Sequence, residues 1–137
     1  VLNNALLSSA QLNDMSFANA KLNGTYFAYS DLTNANFENA SLVEAHCREA
    51  NLSRANLTNA NLQQVNFARV NLSHATLISA DLTDANLWRA NLCGANLTNV
   101  KLTNANMTDV EIDESTVLPD GSTGKTSVDW SSFTDKN

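Results

Sequence analysis

Several residues in this chain invite a chemical reading. The run Gly121-Ser122-Thr123-Gly124-Lys125-Thr126 ends like a phosphate-binding loop. That loop needs a further glycine five residues before Gly124, a strand before it and a helix after it. Position 119 holds proline instead, so the run reads as a turn. The two histidines, His46 and His74, have no cysteine at a zinc-like spacing, and no metal or cofactor is expected. Asn-Leu-Ser and Asn-Leu-Thr recur, as at Asn51-Leu52-Ser53 and Asn56-Leu57-Thr58, and match a glycosylation acceptor. They recur so often that some underlying repeat must generate them. The remaining candidates are binding residues rather than catalytic ones: Tyr26, Tyr29, His46, Arg48, Arg69, Trp88 and Arg89. Tyr, Trp and Arg combine large contact area with directed hydrogen bonds and are enriched at interface hot spots. These seven can act together only if the fold brings positions about twenty apart into register.

The repeat supplies that register. From Leu2, every fifth residue is apolar: Leu7, Leu12, Phe17, Leu22 and onward through Cys47 and Leu82 to Met107, Ile112 and Val117. Two positions before most of these centres sits a small residue, mostly alanine, as in the succession Ala35, Ala40, Ala45, Ala50, Ala55 and Ala60. The position just before the centre is often Asn, as at Asn51, Asn61 and Asn71. A period of five matches neither the helical 3.6 nor the strand 2.0. The chain must therefore turn after each unit to keep its centres inward. All the Phe centres, Phe17, Phe27, Phe37 and Phe67, fall at positions ending in 7. That modulation of ten fits an even number of sides, and four sides give a coil of twenty residues.

The pattern, as in Ala50-Asn51-Leu52-Ser53-Arg54, resembles the pentapeptide-repeat family in its cyanobacterial form, over roughly residues 12–118. The resemblance implies an all-β fold, a right-handed quadrilateral β-helix with four pentapeptides per coil. Stacked backbones would be about 4.8 Å apart. Columns of Asn, such as Asn51, Asn71 and Asn91, are then expected to form amide ladders. Residues 1–11 read as an N-terminal cap or degenerate coil, with helix and coil both open. Residues 12–118 form the β-helix and 119–137 a capping tail, either end being able to take a short helix. Trp130 and Phe133 are suited to covering an open coil end. Cys47 is a centre and Cys93 faces outward. At the coil spacing they stand roughly 11 Å apart along the axis, beyond the reach of a disulfide.

An axis filled with Leu and Phe leaves no cavity for convergent polar groups, so no enzyme is expected. The formal charge of −6 argues against direct nucleic-acid binding. No stretch is apolar enough to span a membrane. The expected role is a binding or scaffold module, monomeric, with a protein partner. The side centred on Phe27, Cys47, Phe67 and Leu87 carries the seven candidates. On that side Glu49, Arg69, Arg89 and Asp109 form one row, predicted to set each arginine beside a carboxylate. The alternative is mimicry of DNA to inhibit an enzyme such as gyrase, which the family resemblance implies for some members. Mimicry asks for a continuous acidic ladder. The side centred on Leu12 to Ile112 has acids at its ends and Asn51, Asn71 and Asn91 between. The absence of an initiator methionine at Val1 tilts the expected compartment toward an exported one, periplasm or thylakoid lumen.

Overall fold

The structure is a computed structural model, and it describes residues 1–125 and 127–135. The five-residue units share one kind of turn. The amide of the small residue donates to the carbonyl of the preceding centre, as Ala35 does to Leu32 at 3.0 Å. The residue between them that closes the unit is left-handed: Asn34 at φ 59°, Arg54 at 59° and Ser79 at 61°. A positive φ at the second central position is what a type II turn demands. β-Branched side chains tolerate it worst, and none of the described left-handed positions holds Val, Ile or Thr.

Between turns, one residue per unit pairs with the coils on either side. Tyr26 bridges in parallel to Leu6 and to His46, and His46 bridges on to Asn66. The same twenty-residue step runs from Leu6–Tyr26 to Asn91–Glu111. These are isolated bridges, because the chain turns before a second residue can pair. Two backbone bonds flank each one. At the Asn61–Asp81 bridge the Leu62 amide donates to the Asp81 carbonyl at 2.8 Å, and the Asp81 amide donates to the Ala60 carbonyl at 3.0 Å. The result is a β-helix solenoid.

Its axis is filled as the five-residue period requires. Leu62, Leu72, Leu82 and Phe67 are fully buried, and Ala35, Ala45 and Ala80 are buried beside them. Phe17 stacks on Phe37 with ring centroids 5.0 Å apart, and Phe27 meets both edge-on. The first eleven residues carry the same turns and bridges, and no helix forms there. Their ends of the core are more open: Leu2 is 45% exposed and Leu6, beside the buried axis, is 81% exposed.

Two expectations are corrected. Val117 is not a centre. One extra residue enters the turn at Asp113–Ser115, so Val117 takes the bridging position opposite Asn96, and Leu118 is the buried centre. Asp113 holds the enlarged turn by accepting from the Ser115 amide and hydroxyl at 2.9 and 2.6 Å. The Asn columns, moreover, are mostly not ladders. Each Asn oxygen accepts from the amide two residues on, as Asn51 does from Ser53 and Asn71 from Ser73, both at 3.0 Å. This local bond closes a small ring and costs little chain entropy. A ladder bond between stacked Asn side chains is seen at Asn106–Asn86, 3.2 Å.

Beyond Leu118 the chain makes an antiparallel bridge, Val117–Thr123, and a short helix α1, Ser131–Thr134. Trp130 and Phe133, with centroids 6.2 Å apart, pack against the core, and the Asn104 amide donates to the Thr134 carbonyl at 2.8 Å. Among the described residues no helix is long and apolar enough to cross a membrane.

Candidate interaction face

The turn chemistry that builds each unit also aims its side chains. The bridging residue and the two turn residues point outward, while the small residue and the centre point in. Three outward columns therefore run along the side centred on Phe27, Cys47, Phe67 and Leu87. Tyr26 and His46 are consecutive members of the bridging column, and their rings stack at 4.3 Å with an interplanar angle of 8°. Ser9, Tyr29, Glu49, Arg69, Arg89 and Asp109 fill the left-handed column, with φ between 56° and 62°. The third column alternates small and large: Ala28, Arg48, Ala68 and Trp88. Ala68 is only 4% exposed, although it occupies an outward position. It lies between Arg48 and Trp88 in the column.

Trp88 organises the lower half of the face. The Arg89 guanidinium carbon lies 4.8 Å from its ring centroid and that of Arg69 5.7 Å, both within cation–π range. Arg89 also meets Asp109, Nε to Oδ2 at 3.8 Å. The predicted pairing of each arginine with a carboxylate along the row holds here but not above. Glu49 pairs with its chain neighbour Arg48 at 3.5 Å, rather than with Arg69. Among the described residues Arg69 makes no ion pair; its guanidinium lies over the indole instead. Arg69, Arg89, Asp109 and Glu111 line an open cleft of about 530 Å³.

Of the seven sequence candidates, the structure gathers Arg69, Trp88 and Arg89 into one cluster and Tyr26 with His46 into another. Arg48 is tied to Glu49. Tyr29, one coil after Ser9 in its column, stands apart, 58% exposed. Sequence reasoning left Glu111 out of the site. It opens the next side of the solenoid, and only the fold shows that it rounds the corner into the cleft.

Other reactive groups are quiet. Burial pushes the Cys47 thiol up to about 12. Burial, then Asp113 and Glu111, raise the Cys93 thiol as well. Both cysteines are free thiols. Among the described residues no three His, Cys, Asp or Glu side chains gather as metal ligands. In the loop at 121–126, the Gly121 amide donates to the Leu118 carbonyl and the Gly124 amide to the Thr116 carbonyl. Those amides are therefore not offered to a phosphate. Thr126, the last residue of that run, lies outside the described residues.

A β-helix of stacked five-residue turns with one outward face rich in Arg and aromatic residues defines a repeat solenoid. The family model for pentapeptide repeats matches eight copies, at residues 1–39, 30–69, 50–89 and 71–109. The chain belongs to the pentapeptide-repeat family. Among solved structures it is similar to a pentapeptide repeat protein of the Arabidopsis thaliana thylakoid lumen. That similarity has 28% identity and a TM-score of 0.73, over 75% of this chain and 72% of the other. It is 38% identical to the pentapeptide repeat protein Rfr23 of the cyanobacterium Cyanothece 51142, over 64% of this chain and 63% of that one, with a TM-score of 0.39. QnrB1, a plasmid-mediated fluoroquinolone resistance protein, shares the fold with a TM-score of 0.60 and 19% identity, over 96% of this chain and 65% of its own. No curated protein matches the chain.

Proposed function

We propose that this chain is a non-catalytic binding module whose partner, a protein, docks on the side centred on Phe27, Cys47, Phe67 and Leu87. The observation that carries the reading is the cluster of Arg69, Trp88 and Arg89. A half-buried indole beneath two guanidinium groups is a rigid, partly desolvated anchor of the kind found at interface hot spots. DNA mimicry is the weaker reading, because the column Asp31, Asn51, Asn71, Asn91 and Glu111 sets neutral amides between its acids.

The same reading covers the rest of the chain. The twenty-residue register supports a quadrilateral cross-section with one pentapeptide per side, and the right hand is carried over from the family resemblance. Residues 12–118 are the working tower, 1–11 a first, more open coil and 119–137 a capping tail. The protein acts as a monomer, without direct contact to nucleic acid or membrane. The lumenal location of the Arabidopsis neighbour supports an exported compartment.

The test is capture from source lysate by the wild type and by the variant Arg69→Ala, Trp88→Ala, Arg89→Ala, with Glu38→Ala on the opposite side as control. The triple variant is expected to stay folded and lose the partners that the control retains. Equal recovery by the folded triple variant would remove this face from the argument.

A further inference from the structure

We infer that the face takes an acidic α-helix of its partner, lying along the tower axis. The inference rests on the reading above and adds the shape and charge of what binds. Along the axis the face changes character in order. Tyr26, Tyr29 and His46 form an exposed aromatic end, with Tyr26 40% and Tyr29 58% exposed. Arg69 and Arg89 hold the middle. Asp109 and Glu111 close the far end of the cleft.

Spacing selects a helix. Adjacent coils are about 4.8 Å apart, and one turn of α-helix rises about 5.4 Å. Three coil steps separate Tyr29 from Arg89, about 14 Å by that spacing. Three helical turns cover about 16 Å, so residues one turn apart stay beside successive coils. An extended strand presents same-face residues about 6.6 Å apart and slips by more than a whole coil over the same stretch.

Charge selects the sequence. Arg69 makes no ion pair among the described residues, and the indole beside it restrains its planar fork. Such a fork suits a carboxylate bound through two parallel hydrogen bonds. Arg89, one coil on, is only loosely held by Asp109 at 3.8 Å and can take a second carboxylate. The matching helix therefore carries acids at i and i+4, with apolar residues in the turn that meets Tyr26 and His46. Its positive N-terminal end is favoured beside Asp109 and Glu111. A second copy of this chain docked in parallel fits poorly, because that pairing sets arginines against arginines.

The experiment uses synthetic peptides and the whole chain. The probe is an alanine-based helical peptide with Glu at i and i+4 and two leucines in the turn that follows. The controls share its composition, one with a central proline that breaks the helix and one with the two Glu two positions apart. Titration by fluorescence anisotropy should show binding to the wild type that weakens as salt rises. The loss should be about tenfold or more in Arg69→Ala, the scale of a charge-assisted bond. Arg69→Lys should restore part of it, since charge returns without the fork. Controls that bind as well as the probe would overturn the helix, and an undiminished Arg69→Ala would overturn the arginine site. Sedimentation showing dimers of the wild type that Arg69→Ala dissolves would replace the partner with a second copy. Should the triple variant lose its captured partners while the probe fails to bind the wild type, the face stands and the helix falls.

Discussion

At the scale of single residues, the position before each centre does two jobs. Asn51 bridges its neighbouring coils through its backbone, and its side-chain oxygen starts the turn by accepting the Ser53 amide. Where the residue two positions on is Thr, its hydroxyl joins the same acceptor, as Thr58 does on Asn56 at 2.7 Å and Thr83 on Asp81 at 2.6 Å. Asn-Leu-Thr is thus a turn clamp, which explains its recurrence without any glycan. Where the acceptor is Asp, the clamp becomes sensitive to pH. Burial works against the Asp81 charge, but bonds from Thr83 and Gln63 and the nearby Lys101 outweigh it and hold the carboxyl below the usual range. A group with a lowered folded pKa stabilises the fold above its unfolded value, near 3.9 for Asp, and loses that stabilisation as pH falls through the folded value. Asp81→Asn keeps an acceptor but not the charge. The drop in unfolding midpoint between pH 6 and pH 3 should be smaller in the variant than in the wild type. Identical drops would mean that Asp81 is not held by its clamp. Asn at the bridging position was readable from the repeat, but its partner was not. Stacking twenty apart suggested a ladder, whereas the amide two residues away competes for the same oxygen at lower entropic cost.

At the scale of the five-residue unit, the left-handed residue sets the limit on sequence. The axis side of each unit is easily read, since only apolar centres and small neighbours fit. The outward side looks free but is not. Asn34, Asn39, Asn59, Asn99 and Asn104 all lie between φ 58° and 60°, and Asn accepts that region better than most residues. Gly94, at φ 72°, meets a further demand: an added Cβ would lie 2.3 Å from Nδ1 of His74 on the coil before. Ser79 tests the rule cleanly, being exposed and left-handed at φ 61°. Ser79→Val should cost about 1–2 kcal/mol, the left-handed penalty for a side chain branched at Cβ. Ser79→Asn should be close to neutral. Chemical denaturation measures both, and a neutral Val variant would contradict the turn geometry. The shift from Val117 to Leu118 belongs at this scale too. Thr116-Val117-Leu118 repeats the small–bridge–centre order one residue late, a signal a strict count of five passes over.

At the scale of the whole molecule, a solenoid has no core beyond what neighbouring coils give one another. Its ends decide where it frays. At one end Leu2 and Met15 are 45% and 47% exposed; at the other Leu102 and Met107 are 1% and 8% exposed. The difference has a visible cause, because Trp130 and Phe133 pack against that end of the core. Pro119 and the two aromatics marked this tail in the sequence, while its single helical turn at Ser131–Thr134 carried no periodic signal long enough to read. Trp130→Ala with Phe133→Ala should therefore act locally. Amide exchange protection should fall first at Leu92, Leu97 and Asn104, whose coil lies nearest the tail, and only slightly at Leu52 and Leu62. Newly exposed coil backbone should also promote end-to-end association, read as a concentration-dependent rise in sedimentation coefficient. Unchanged exchange at Asn104 would show that the aromatics do not protect the last coil. An equal loss at Leu62 would show instead that the tower opens as one unit, since nearest-neighbour coupling requires the end to open before the middle.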